Sequence, residues 1–174
     1  MSKDKKEKKK LKRLQKRASR YYDKMRKTKS FYKSKNLLKL ETLILKQHQR
    51  ITNIRKNNIH QATTKLVKLN PKAIVVEDLN VSGMMKNKHL SKAIQQQKLY
   101  EFRRQLEYKC KWNNIELRIV DRFYPSSKLC HECGNIKKDL KLSDRIYKCD
   151  CGYTEDRDYN ASLNLRDAIT YKIA

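Results

Sequence analysis

The four cysteines Cys130, Cys133, Cys149 and Cys151 constrain this chain more tightly than any other feature of its sequence. They stand as a C-x2-C pair and a C-x-C pair with fifteen residues between them. Gly134 and Gly152 each follow the second cysteine of a pair, where the chain must turn back under a metal. Two such knuckles can deliver four thiolates to a tetrahedral Zn2+ ion at about 2.3 Å. A site closed by four cysteines keeps no open coordination position. The expected Zn2+ is therefore structural, shaping a small lobe that cannot build a core of its own. His131 lies inside the first knuckle, but four cysteines already complete the ligand set. Cys110 falls on the apolar stripe of a predicted helix and reads as core.

Treating the cysteines as ligands rather than disulfides depends on a reducing environment. The start of the chain, MSKDKKEKKK, has no hydrophobic segment and does not read as an export signal, so a cytoplasmic protein is expected. No apolar run exceeds a few residues, so no bilayer span is expected and a membrane is not the partner. The formal charge of +26 over 174 residues points instead to a polyanion, DNA or RNA. Residues 1–60 hold 22 Lys and Arg against four acids, and the remaining residues hold 22 against 14. A basic arm therefore leads into a more balanced body.

Within that arm the lysine block of residues 1–10 is expected to fray as a tail. Residues 11–69 contain neither Gly nor Pro. Leu37, Leu40, Ile44, Ile51, Ile54, Ala62, Leu66 and Leu69 recur at helical spacing, lining one long helix or two broken near residues 28–35. Asn70 and Pro71 stop the pattern. KAIVVEDL (72–79) reads as a buried strand closed by the turn chemistry of NVSG. A helix capped by Ser91 is expected to run to about Trp112, with Leu99, Phe102, Leu106 and Cys110 on one stripe. A second strand follows at residues 115–123, with Ile115, Leu117 and Ile119 facing inward. Strand, helical crossover and strand imply a parallel pair in an α/β layer. DYNASLNLRDAI reads as a final amphipathic helix.

Glu77 ends the first strand, and the carboxyl edge of an α/β sheet is where ligands are bound. Asp156 and Asp158 precede the last helix. Carboxylates gathered at such an edge can hold Mg2+ ions that activate water and neutralise charge on a phosphodiester. Spacing alone is served equally by Glu77 as a solvated strand end and by Asp156 or Asp158 as a helix cap. Arg157, Asn160, Ser126 and Ser127 have the chemistry to touch phosphate, and a helix start or a turn explains them as well. Tyr21, Tyr22, Phe31 and Tyr32, interleaved with lysines, suit base stacking or burial against a neighbouring helix.

IVVEDLNVSGM, FYPSSKLCHECGNIKKDLKLSDRIYKCDCGYTEDRDYNASLNL and the basic helix before them resemble the C-terminal part of the TnpB family. Its members are RNA-guided DNA endonucleases carried by insertion sequences and related to type V CRISPR effectors. The resemblance extends over residues 11–169. It implies an α/β fold, a partial RNase H-like (RuvC-like) domain with long N-terminal basic helices and an inserted zinc ribbon. On this reading residues 1–70 form the tail and helices, 71–125 and 154–174 the partial nuclease core, and 126–153 the ribbon. Glu77 would be the second catalytic acid and Asp158 the third, together holding Mg2+, while Cys130, Cys133, Cys149 and Cys151 hold Zn2+.

One departure accompanies the resemblance. The family's first catalytic Asp lies on a strand with a GIDLG-like motif, and nothing in residues 1–70 resembles it. Asp4, Glu7, Asp23 and Glu41 are the only acids there, none on an apolar strand. Two carboxylates of a three-carboxylate site are therefore expected. The parallel strands are expected to keep an unpaired edge, and cleavage to require a separate N-terminal half of the nuclease. Guide-type RNA and DNA are the implied partners. A catalytically silent nucleic-acid binder uses the same residues.

Overall fold

The computed structural model describes residues 3–29, 31–141 and 143–174. They divide into two packed units, one up to Ala62 and one from Thr63 onward.

In the first unit α1 (Lys3–Lys27) pairs antiparallel with α2 (Lys35–Lys68), which continues past the unit's end. The break falls where the sequence places it. Residues 3–10 of the lysine block, however, are helix and not a frayed tail. Asp4 pairs with Lys8 at 2.5 Å and Arg55 at 3.5 Å, and Glu7 pairs with Arg50 at 3.0 Å and accepts from Gln47 at 2.6 Å. These acids fasten the first turns of α1 to α2 and draw like-charged lysines into helix. Ala18, Leu37 and Leu40 form the buried centre, with Leu14, Tyr21, Met25 and Ile44 packed around them.

The second unit takes up the last turns of α2. There the buried residues are Thr63 and Val67, while Ala62, Leu66 and Leu69 of the expected stripe are exposed. Val67 joins Leu106, Cys110, Ile115 and Leu117 in one apolar cluster, and Thr63 donates to the buried Gln105 at 3.1 Å. The burial of Cys110 pushes its thiol up, as suits a core residue. Asn70, at φ 47°, ends the helix in the left-handed conformation that Asn tolerates.

β1 (Ala73–Glu77) and β2 (Glu116–Val120) are parallel, with Glu77 opposite Val120. Between them come α3 (Val81–Met85), α4 (Ser91–Gln97) and α5 (Leu99–Trp112). The single crossover helix expected over 91–112 is two helices, because Lys98 turns left-handed at φ 51°. Leu90, not Ser91, is the N-cap of α4. β3 (Ile146–Lys148) and β4 (Thr154–Asp156) form a separate antiparallel hairpin, followed by α6 (Arg157–Arg166) and β5 (Tyr171–Ile173). The last helix is thus shorter than expected. β5 pairs antiparallel with β2, giving the order β1-β2-β5. The expected open edge is therefore present on the β1 side alone, the β2 side being covered by β5. No strand pairs with β1 at that edge among the described residues, and β1 is half-buried throughout rather than buried.

Candidate metal centre and carboxylate cavity

The β3–β4 hairpin and the turn at Cys130–Cys133 bring four thiols together. Cys130 and Cys151 Sγ lie 3.7 Å apart, Cys133 and Cys149 Sγ 3.6 Å, and all four within 4.8 Å of one another. A tetrahedron with Zn–S bonds of about 2.3 Å has S···S edges of about 3.8 Å, so the cluster matches the ion in donor type and size. Gly134 at φ 73° and Gly152 at φ 94° make the two turns, each returning its N–H to the carbonyl of a cysteine, Cys130 and Cys149 respectively. The backbone N–H of Cys151 draws the Cys149 thiol down to about 7. Cys133 is pushed up to about 12: the Asn135 backbone lowers it, but burial and the other thiols prevail. Four thiols this close can hold one cation between them as thiolates. His131 stands apart, its Nδ1 3.8 Å from Asp167 Oδ2.

Besides the thiols, the lobe buries Tyr147, whose hydroxyl donates to the Lys128 carbonyl at 3.1 Å. Its base is held by two buried asparagines one turn apart on α6. Asn160 Nδ2 donates to the Leu129 carbonyl at 2.8 Å, and its Oδ1 accepts from the His131 N–H at 3.2 Å. Asn164 Nδ2 donates to the carbonyls of Ser126 at 2.8 Å and Leu129 at 2.7 Å. Asn160 is thus a buried brace and not a phosphate contact. The i, i+4 spacing of two Asn on one helix was the signal available in the sequence.

Glu77 closes β1, and Ser126 Oγ donates to its Oε1 at 2.8 Å. Ser126 is itself buried, which removes it from contact with phosphate. The neighbouring Asp78 turns elsewhere. It is gripped by Arg103 at 2.7 Å and Arg122 at 2.6 Å, and those guanidiniums, Arg122 foremost, hold its carboxyl below the usual range. At α6 the capping question has one answer. Asp156 Oδ1 accepts from the N–H groups of Asp158 and Tyr159 at 2.9 and 3.0 Å, so Asp156 is the cap. The Asp158 side chain is left 74% exposed, with Arg157 at 3.3 Å. α6 packs against β1, and Glu77 and Asp158 border one cavity of about 660 Å³. Its wall also includes Tyr100, Phe102, Arg103 and Arg122, none of which the sequence singled out for this site. Among the described residues no third acid or imidazole joins Glu77 and Asp158 in a cluster of metal-ligand spacing.

The model of the Cas12f1-like TNB domain matches residues 100–165. A candidate RNA-guided DNA endonuclease of Streptomyces pristinaespiralis is 42% identical over 132 residues, covering 76% of this chain and 33% of that protein. The TnpB-like protein L79 of Acanthamoeba polyphaga mimivirus is 34% identical over 146 residues, covering 80% of this chain and 27% of that protein. The chain therefore spans about a third of the length of the relatives it matches. Among solved structures, a chain of the Cas12f1–sgRNA–target DNA complex superposes with a TM-score of 0.61. It shares 22% identity over 75% of this chain and 38% of its own length, a likeness of fold. No helix among the described residues is long and apolar enough to cross a membrane.

Proposed function

We propose, from the premise that this chain belongs to the TnpB family and spans about a third of a member's length, that it is the nucleic-acid-binding, C-terminal part of an RNA-guided DNA endonuclease of a mobile element. On this reading β1, β2 and α6 form part of a RuvC-like core and residues 126–153 a zinc ribbon inserted into it. The juxtaposition of Glu77 and Asp158 on one cavity carries the proposal. One carboxylate is steadied by a hydroxyl donor and the other is exposed, and oxygen donors of this kind suit a hard divalent cation.

Mg2+ held by Glu77 and Asp158 would supply charge neutralisation and an activated water for phosphodiester attack. This chain's own residues do the positioning. Ser126 orients Glu77, Asp156 caps α6 so that Asp158 is not consumed as a cap, and the Arg103–Asp78–Arg122 pairing sets cations in the cavity wall without neutralising Glu77. A further carboxylate would come from a separate N-terminal half, because cleavage through two metals relies on a bridging acid. Cys130, Cys133, Cys149 and Cys151 would hold Zn2+ in a structural role, while Asn160 and Asn164 tie the lobe to α6.

The test is complementation. The chain is incubated with a separately expressed N-terminal half, guide RNA, Mg2+ and target DNA. Cleavage that disappears in both Glu77→Ala and Asp158→Ala supports the proposal, and cleavage that survives either variant refutes it. A silent nucleic-acid binder is the second reading, favoured by the lack of a third clustered acid among the described residues. Salt-sensitive retention of nucleic acid without cleavage in any pairing would establish that reading instead.

A further inference from the structure

The tip of the α1–α2 hairpin carries a cavity of about 850 Å³ that the carboxylate chemistry leaves unused. Ala18, Tyr22, Met25 and Ile44 give it apolar walls, and Gln15 and Ser19 add polar groups at its side. Phe31 also lines it, although 93% of that residue is exposed to solvent. Tyr32 beside it is 89% exposed, whereas Tyr21 is packed into the hydrophobic cluster. Core packing therefore explains Tyr21 but not Phe31.

The rim is cationic. From Asp23 to Lys35 the chain has six Lys and Arg and one acid. That acid, Asp23, is engaged by Arg26 at 2.6 Å, and Glu41 on α2 is engaged by Lys33 at 2.7 Å and by the Tyr22 hydroxyl. The surplus charge of this segment is thus positive, and Lys29 stands in the cavity wall. A flat exposed ring over an apolar slot, with Arg26 and Lys29 in its wall, matches a nucleobase with its flanking phosphates. An apolar peptide would fill the slot and leave the cations unanswered. The volume falls within the range of about 300–1,000 Å³ usual for ligand pockets.

We propose that the hairpin tip is a subsite for single-stranded RNA. One unpaired base enters the cavity and stacks on Phe31 while the adjoining phosphates meet the lysines and arginines of the tip. RNA is favoured over DNA because folded RNA presents unpaired bases in loops and bulges, whereas DNA bases stay paired until a duplex is opened. This inference deepens the nucleic-acid-binding reading above and rests on it.

The experiment uses the whole chain and an oligoadenylate RNA carrying one 2-aminopurine. Phe31→Ala is expected to weaken binding about 5- to 150-fold, the effect of losing one stacked base, and to relieve the quenching of 2-aminopurine. The salt slope should stay unchanged, because no phosphate contact is lost, and Phe31→Trp should restore affinity. Lys29→Ala should instead lower the salt slope by about 0.7. A thermal melt matching the wild type is expected for Phe31→Ala, since an exposed ring contributes little to folding. Unchanged affinity and quenching in Phe31→Ala would overturn the subsite while leaving nucleic-acid binding intact. A loss confined to the deoxy-oligonucleotide of the same sequence would overturn the assignment to RNA. A wild-type chain that binds neither would overturn the broader reading as well.

Discussion

Ser126 and Glu77 lie 49 positions apart, and the Ser126 hydroxyl donates to Glu77 Oε1 at 2.8 Å. The Ser126 carbonyl is in turn held by Asn164 on α6 at 2.8 Å. The acid at the end of β1 is therefore oriented by the segment that leads into the cysteine lobe. Ser126→Ala should cost about 1 kcal/mol of stability, the usual net worth of one hydrogen bond, measured by urea denaturation. In the complemented nuclease it should slow cleavage more than it weakens substrate binding, with Ser126→Thr retaining most of the rate.

The thiol cluster makes a quantitative demand. One zinc per chain is expected by elemental analysis of protein purified without chelator, and none in Cys130→Ser or Cys151→Ser. Structural zinc binds with an apparent free energy of about 10–16 kcal/mol, so its removal should unfold the lobe. Hydrogen exchange should then show Leu129, His131 and the first turns of α6 losing protection together, because Asn160 and Asn164 bond to the lobe's base.

Asp156 and Asp158 should separate cleanly on mutation. Asp156→Ala removes the cap of α6 and should destabilise the chain by about 1 kcal/mol. Asp158→Ala alters an exposed side chain and should stay within about 0.5 kcal/mol of the wild type by thermal melt. In the complementation assay the order reverses, with Asp158→Ala abolishing cleavage and Asp156→Ala reducing it only through stability.

Asp78 predicts a pH dependence. Arg122 and Arg103 depress its folded pKa below the ordinary 3.8. A carboxyl depressed in the folded state contributes stability that is complete above its unfolded value and is lost as pH falls through the folded one. The stability difference between wild type and Asp78→Asn should therefore be constant from pH 7 to about 5 and shrink below 3.8, as read from denaturation curves at each pH.

Patterns that depend on neighbours in sequence were legible from the chain. The parallel pairing of β1 with β2, the stop at Asn70 and the turns at Gly134 and Gly152 all follow from local spacing and backbone chemistry. What the sequence concealed depends on partners far along the chain. The helical start needs Arg50, Arg55 and Gln47, which lie about 11 to 14 turns of helix away in sequence. The buried face of α2 changes once it packs on α5, and the left-handed Lys98 carries no signature of Gly or Asn. At the site, the sequence singled out Glu77 and left its neighbour Asp78 without a role. Only the positions of Arg103 and Arg122 show that Asp78 is occupied and Glu77 is not. β5 was hidden by its length, three residues being too few to display alternation.

That short strand bears on how the protein should be handled. The N–H of Ala174 donates to the Leu117 carbonyl at 3.1 Å, and residues 171–173 line the flank of β2. Deleting four residues at this point would expose a ladder of unbonded amides beside the central strand, inviting adhesion between copies. Any truncation or fusion should therefore leave residues 171–174 in place.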